Sequence, residues 1–305
     1  MRYILPFSNK FEVESDIYLS KFISEVADGT YLKKLFRLEK QLKITFHAPM
    51  VSEEFLQLGI EAMGDHYLLF ASSMSYLEFE YDQTDEVDDC NIVHHINDIV
   101  LALTIAFPGI SFLVGLYKQD CNGYSKAVKY NPLLDEHGMR FHNLEWPACK
   151  HLNPKDVLDW LMMLNGFNEG VPKGQTGRAV SAFAKYLFTN DELQFIWCLV
   201  GLEALYGRDR GGKTEQMLQK SELLLGSRNG EKKSLTNLYN FRSRLLHGDV
   251  DIPLQYSHWY SVDSYQRYYD NVDGSDTMAI AVLWASLQAL VERKSISLDF
   301  AYQII

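Results

Sequence analysis

Cysteine is scarce in this 305-residue chain, with four residues, Cys90, Cys121, Cys149 and Cys198. None stands in C-x-x-C spacing, which excludes a zinc framework and a disulfide scaffold and points to a reducing, cytoplasmic setting. The opening "MRYILPFSNK" has no long apolar stretch or small-residue cleavage signal, so no secretory leader is expected. Internal repeats and low-complexity tracts are missing too. Basic charge is the rarer sign, 29 Lys and Arg against 40 Asp and Glu, and the net charge of −11 argues against a uniformly phosphate-binding surface. Long uncharged runs are also rare. "IVLALTIAFPGISFLVGLY", Ile99 to Tyr117, approaches the length of a membrane span, yet Pro108-Gly109 is a strong turn signal inside it. A helix ending near Phe107 and a strand from Ser111 to Tyr117 account for the same residues, and no membrane partner is expected.

What is present is a composition able to build cores: 47% hydrophobic and 13% aromatic residues. The length suits two domains. In the first, "LKITFHA" (Leu42 to Ala48), "HYLLFASSM" (His66 to Met74), "YLEFEYD" (Tyr76 to Asp82) and "SFLVGLY" read as strands, and "NIVHHINDIVLALTIAF" reads as a helix. The acidic run Glu78, Glu80, Asp82, Asp85, Glu86, Asp88 and Asp89 lacks the grammar of a calcium loop and is expected to be a solvated strand edge and loop. His94-His95 lack the spacing of a zinc motif, so a structural role is expected for them. No metal or small-molecule cofactor is implied.

A boundary is expected near residue 150, where "EWPACKHLNP" leads into Asn153-Pro154, a capping residue followed by proline at the first helical position. After a Gly-rich loop at Asn165 to Gly177, helices are expected over Arg178–Thr189, Asp191–Tyr206, Thr214–Gly226, Ser234–Gly248 and Ser275–Lys294. The fold class is therefore α+β: a mixed α/β domain at 1–150 and an all-α helical bundle at 151–305. "QYSHWYSVDSYQRYYD", Gln255 to Asp270, reads as a long loop whose aromatic residues, among them Tyr265, Tyr268 and Tyr269, either stack bases or, as the more common use, pack against the bundle.

"GRDRGGKT", Gly207 to Thr214, fits the phosphate-loop pattern G-x-x-x-x-G-K-[ST]. That chemistry requires a buried strand ahead of the loop, whereas Asp191 to Tyr206 reads as a helix. Nucleotide binding at 207–214 therefore stays a minor alternative. Between Gly207 and Val250 nine basic residues outnumber five acidic ones, a local +4 on a remainder of −15. Arg208, Arg210, Lys213 and Arg244 in this island are candidates to meet the phosphates of RNA.

On "SLTNLYNFRSRLLHG" the helical period places Leu235, Leu238, Tyr239, Leu245 and Leu246 on one apolar stripe, with Arg242 in its middle. An arginine there needs a counter-charge. Glu203, the one charged residue between Phe195 and Tyr206, is the expected partner, within the ~6 Å range of direct charge coupling. His247 follows Arg242 by five positions and precedes Gly248, a helix-ending residue.

"RSRLLH", inside "LYNFRSRLLHG" and preceded by "GLEALYG" and a helix ending "LLLG", resembles the R-x(4–6)-H signature of HEPN domains, in particular the Apea-like branch. The resemblance spans roughly Arg178 to Arg293. Ser243 stands where many HEPN ribonucleases carry Asn, Asp or His. The resemblance implies a metal-independent endoribonuclease in which Arg242 and His247 of two copies face one another across a homodimer cleft, with Glu203 and Ser243 in support. It also implies RNA as substrate and phage defence or stress response as setting. The imidazole suits proton exchange near neutral pH and the guanidinium suits a charged phosphate. A non-catalytic RNA-binding or protein-interaction module with the same fold is the alternative. In that reading His247 is a helix C-terminal cap and Arg242 a structural ion-pair partner.

Overall fold

The structure is a computed structural model that describes residues 2–9, 22, 42–47, 74–81, 86–112, 115–120, 123–128, 130, 144, 146–189, 194–207, 213–228, 232–252 and 263–300. It contains both helices and an antiparallel sheet, as an α+β chain should. The chain divides into two compact units, Met1–Gly138 with Lys150–Met163, and Met139–Cys149 with Leu164–Ile305.

The first unit is built on strands β1 (Arg2–Asn9), β2 (Leu42–His47), β3 (Met74–Tyr81), β4 (Ile110–Ser111), β5 (Leu116–Asp120) and β6 (Gly123–Val128). Their order is β2-β3-β1-β5-β6, with β4 pairing β1 beside β5, and every pairing is antiparallel. β1, the central strand, is absent from the strands expected above. Its Pro6 is tolerated because the ladder on that side is interrupted, β5 pairing Arg2–Ile4 and β4 pairing Ser8–Asn9. The single strand expected over Ser111–Tyr117 is two, parted near Gly115, whose φ of 89° is a conformation other residues resist. The strand expected at His66 to Met74 lies outside the described residues except for its last residue.

The acidic run also departs from expectation. β3 is an interior strand, and Glu78 on it is buried with its carboxylate accepting from the Arg2 guanidinium across the sheet. Glu80 accepts from Lys43 at 2.7 Å. Cross-strand basic residues thus answer the two strand carboxylates, while Glu86, Asp88 and Asp89 open a helix, α1 (Glu86–Ala106). Ile92, Ile96, Ile99, Val100 and Leu103 of α1 are buried. His95 lies 3.9 Å from Asp98 one turn on.

α2 (Pro154–Met163) begins as its sequence requires: the Asn153 side chain accepts from the Lys155 amide at 3.0 Å. Read from sequence with the second half of the chain, α2 packs instead on α1 in the first unit, burying Val157, Leu158, Trp160 and Leu161. The Leu152 amide donates to the Ala106 carbonyl at 2.9 Å, and His151 meets Phe107 edge-on.

The second unit is helical: α3 (Gly174–Phe188), α4 (Phe195–Tyr206), α5 (Lys213–Leu225), α6 (Lys232–Leu246) and α7 (Asp263–Glu292). α7 supplies its axis. Ile280, Val282, Leu283, Trp284 and Leu287 are fully buried, and Trp284 meets Phe183 of α3 edge-on with ring centroids 5.4 Å apart. Asp270–Glu292 is long and apolar enough to cross a bilayer, but 93% of its apolar window is buried within the protein. α7 starts twelve residues before Ser275 because the helix runs through Gly274; a glycine costs about 1 kcal/mol there against alanine, a cost tertiary packing overrides. Residues 263–270, expected in a loop, are therefore helical. Tyr268 is buried against Phe241, which is the packing role; Gln255 to Val262 lie outside the described residues.

Cys149 belongs to this unit, its thiol donating to the Ala281 carbonyl at 3.9 Å, and burial pushes that thiol up to about 12. Thiolate is the reactive species. Peptide mapping after brief iodoacetamide treatment at pH 8 is therefore expected to show Cys149 labelled more than tenfold more slowly in the native protein than in urea.

Candidate functional site

α4 is the most apolar helix of its unit, yet it is not buried all round: Trp197 and Val200 are exposed. Its C-terminal turn carries Glu203. The Gly207 amide donates to the Glu203 carbonyl at 2.9 Å and ends the helix. The Tyr206 carbonyl at the same end accepts from the buried Lys220 ammonium at 2.9 Å, so a cation of α5 closes the negative end of α4.

The phosphate-loop pattern is thus preceded by a helix and followed by another that begins at Lys213. A nucleotide-binding loop needs a strand in the first place. Arg208 and Arg210 lie outside the described residues, as does the side chain of Lys213.

α6 presents Leu238, Phe241 and Leu245 to the core, at i, i+3 and i+7. Phe241 stacks on Phe195 of α4, with centroids 5.8 Å apart, and also meets Tyr268 of α7. This corrects the stripe read from sequence: Phe241 belongs to it, and Leu246 is exposed. Leu235 is outside the described side chains.

Arg242 takes the counter-charge anticipated for it. Its guanidinium lies 3.3 Å from a Glu203 carboxylate oxygen, an ion pair without hydrogen-bond alignment, with side chains 32% and 21% exposed. Tyr239 lies one turn before Arg242. It is buried, its hydroxyl meets no hydrogen-bond partner, and burial, reinforced by the Glu203 charge and opposed by Arg242, pushes its ionisation far above the usual tyrosine range. Tyr239 reads from sequence as core, and it is buried.

Breaking the pair leaves a half-buried charge uncompensated. Fully buried pairs lose 3–5 kcal/mol on removal of one partner and exposed pairs well under 1, so Glu203→Ala is expected to cost about 1–2 kcal/mol in urea unfolding. Glu203→Ala combined with Arg242→Met, which removes both charges, is expected to recover most of that loss.

α6 ends in a defined cap. Gly248 adopts φ 77°, its amide donates to Leu245, and the Asp249 amide donates to the Arg244 carbonyl at 2.8 Å. Arg244 reaches back to the Asp249 carbonyl at 3.2 Å. His247 sits in this turn, its amide donating to the Ser243 carbonyl at 3.1 Å; Ser243, Arg244 and His247 are all exposed. One helix therefore carries an anchored guanidinium in its middle and an accessible imidazole and guanidinium at its end.

Among the described residues no group of three or more His, Cys, Asp and Glu is placed to hold a metal ion. Compared with known proteins, the chain matches no family model, no curated protein and no solved structure.

Proposed function

We propose that the helical unit is a HEPN-type endoribonuclease, with Arg242 and His247 as its working residues. The observation that carries this reading is the arrangement of the R-x4-H residues on α6: Arg242 is positioned by Glu203 of a neighbouring helix, while His247 stands exposed at the capped end. A guanidinium has five N–H groups, and the contact with Glu203 engages one nitrogen, so the remainder can address a phosphate.

In the proposed reaction the 2′-oxygen attacks the adjacent phosphorus and the bond to the 5′-oxygen breaks. The products are a 2′,3′-cyclic phosphate and a 5′-hydroxyl. His247 accepts the proton of the 2′-hydroxyl or returns one to the leaving oxygen, and Arg242 offsets the charge that grows on the phosphoryl oxygens. Two copies of the site, brought together in a homodimer, would supply both proton transfers. A cytoplasmic setting, a sensing role for the first unit and a place in phage defence complete the reading.

The specific observation favouring the alternative, a non-catalytic RNA-binding or protein-interaction module, is that Arg242 is already neutralised by Glu203, as a structural arginine would be. Incubation of the full chain with several RNAs in EDTA separates the two. Cleavage leaving cyclic phosphate ends supports the nuclease; RNA binding with every strand intact supports the module.

A further inference from the structure

The Gly-rich segment before α3 is unused by the site on α6. α3 starts without the usual cap: Lys173 occupies the capping position, no side chain bonds the first-turn amides, and the first turn has no acidic residue. Ser, Thr, Asp or Asn ordinarily accepts from those amides, which have no acceptor inside the helix. No hydrogen bond among the described residues engages the amides of Gly174 to Thr176.

A second observation concerns side chains. Gln175 and Thr176 stand in this same turn, 7% and 1% exposed, and both amide atoms of Gln175 and the hydroxyl of Thr176 lack any hydrogen-bond partner. Buried polar groups are ordinarily satisfied. Helix side chains lean toward the N-terminus, so these two lean toward the end where the free amides lie.

The rim of this turn is exposed and basic. Lys173, Gly174 and Arg178 are accessible, and the Glu169 carboxylate is 3.7 Å from the Lys173 ammonium. Gly174 has φ 80° and no heavy atom within 4 Å of where a Cβ would stand, so approach there is open. α3 and α4 pack through a short connection, which makes them antiparallel, and a Cβ on Gly201 would lie 3.4 Å from that of Ala182.

Backbone amides, a hydroxyl, a carboxamide and two cations form a donor set for an acceptor-only anion with several oxygens. We infer that the first turn of α3, Lys173 to Arg178, is a binding site for a phosphate group. The inference is independent of cleavage by His247.

Calorimetric titration of the full chain with inorganic phosphate, against chloride at equal ionic strength, is the test. Saturable binding is expected, weakened at least tenfold in Thr176→Val, which keeps the side-chain shape. Lys173→Ala with Arg178→Ala, which alters only exposed positions, is expected to weaken it several-fold. Binding that fails to saturate, that chloride reproduces, or that both variants retain at wild-type strength overturns the inference. Short RNAs with and without a 5′-phosphate identify the source. Displacement of phosphate by both assigns the site to the phosphodiester backbone, by the phosphorylated RNA alone to a terminal phosphate, and by neither to a small free phosphate.

Discussion

In EDTA, His247→Ala is expected to cleave RNA about 10²–10⁴-fold more slowly than the wild type, the range lost when a positioned acid or base is removed. The position makes the result interpretable. His247 is exposed in the turn after α6, so its removal takes no packing from the core, and surface changes of this kind usually move stability by less than about 0.5 kcal/mol. A histidine that only caps the helix would contribute about 0.3–1 kcal/mol through the dipole and nothing to the chemical step. The two roles thus separate in paired measurements. A large loss of rate with an unchanged urea midpoint marks proton transfer; a small loss of stability with an unchanged rate marks a cap.

The second large effect is structural. Trp284→Ala is expected to destabilise the helical unit by about 3–5 kcal/mol, as deletion of a fully buried aromatic does. Trp284 is wholly buried on α7 with Phe183 of α3 edge-on against it. Leu283 and Ala182, each next in sequence to one member of that ring pair, close on Gly201 of α4. A close-packed site of that kind collapses poorly and keeps much of the vacated volume as a cavity. Hydrogen exchange is the suitable probe, since it reads helices one by one: the amides of α3, α4 and α7 should lose protection together. Loss confined to the last turns of α7 would show that the tryptophan does not tie these helices into one cooperative unit.

The sequence is most legible where local chemistry and tertiary packing agree. Asn153-Pro154 opens α2, Gly226 and Gly248 close α5 and α6, and the counter-charge of Arg242 is found on Glu203. Legibility fails where distant partners override a local signal. Pro6 hides the central strand, because a proline is tolerated wherever the neighbouring ladder happens to be interrupted, and only the pairing with β4 and β5 shows where that is. Gly274 suggests a break before Ser275, yet α7 runs through it. Glu78 reads as solvated until Arg2, far away in sequence, is brought across the sheet to it. On α6 the period alone cannot choose between Phe241 and Leu246 for the core, since Phe195 of α4 decides it. The polar turn of α3 has no sequence signal as clear as R-x4-H; burial is what sets Gln175 and Thr176 apart.

The position of β1 also governs the order in which the first unit can assemble. Its neighbours are β3 on one side and β5 with β4 on the other, and Arg2 bonds Gln119 across a separation of 117 residues. On the ribosome, β1 therefore emerges well over a hundred residues before β5, its partner on one side. Closing so long a loop is entropically costly and slows folding. During that wait β1 presents Tyr3, Ile4, Leu5 and Phe7, all destined for burial, as an unpaired apolar edge. Slow translation between β3 and β5 would prolong this exposure, and chaperone capture of the nascent chain should concentrate in that interval.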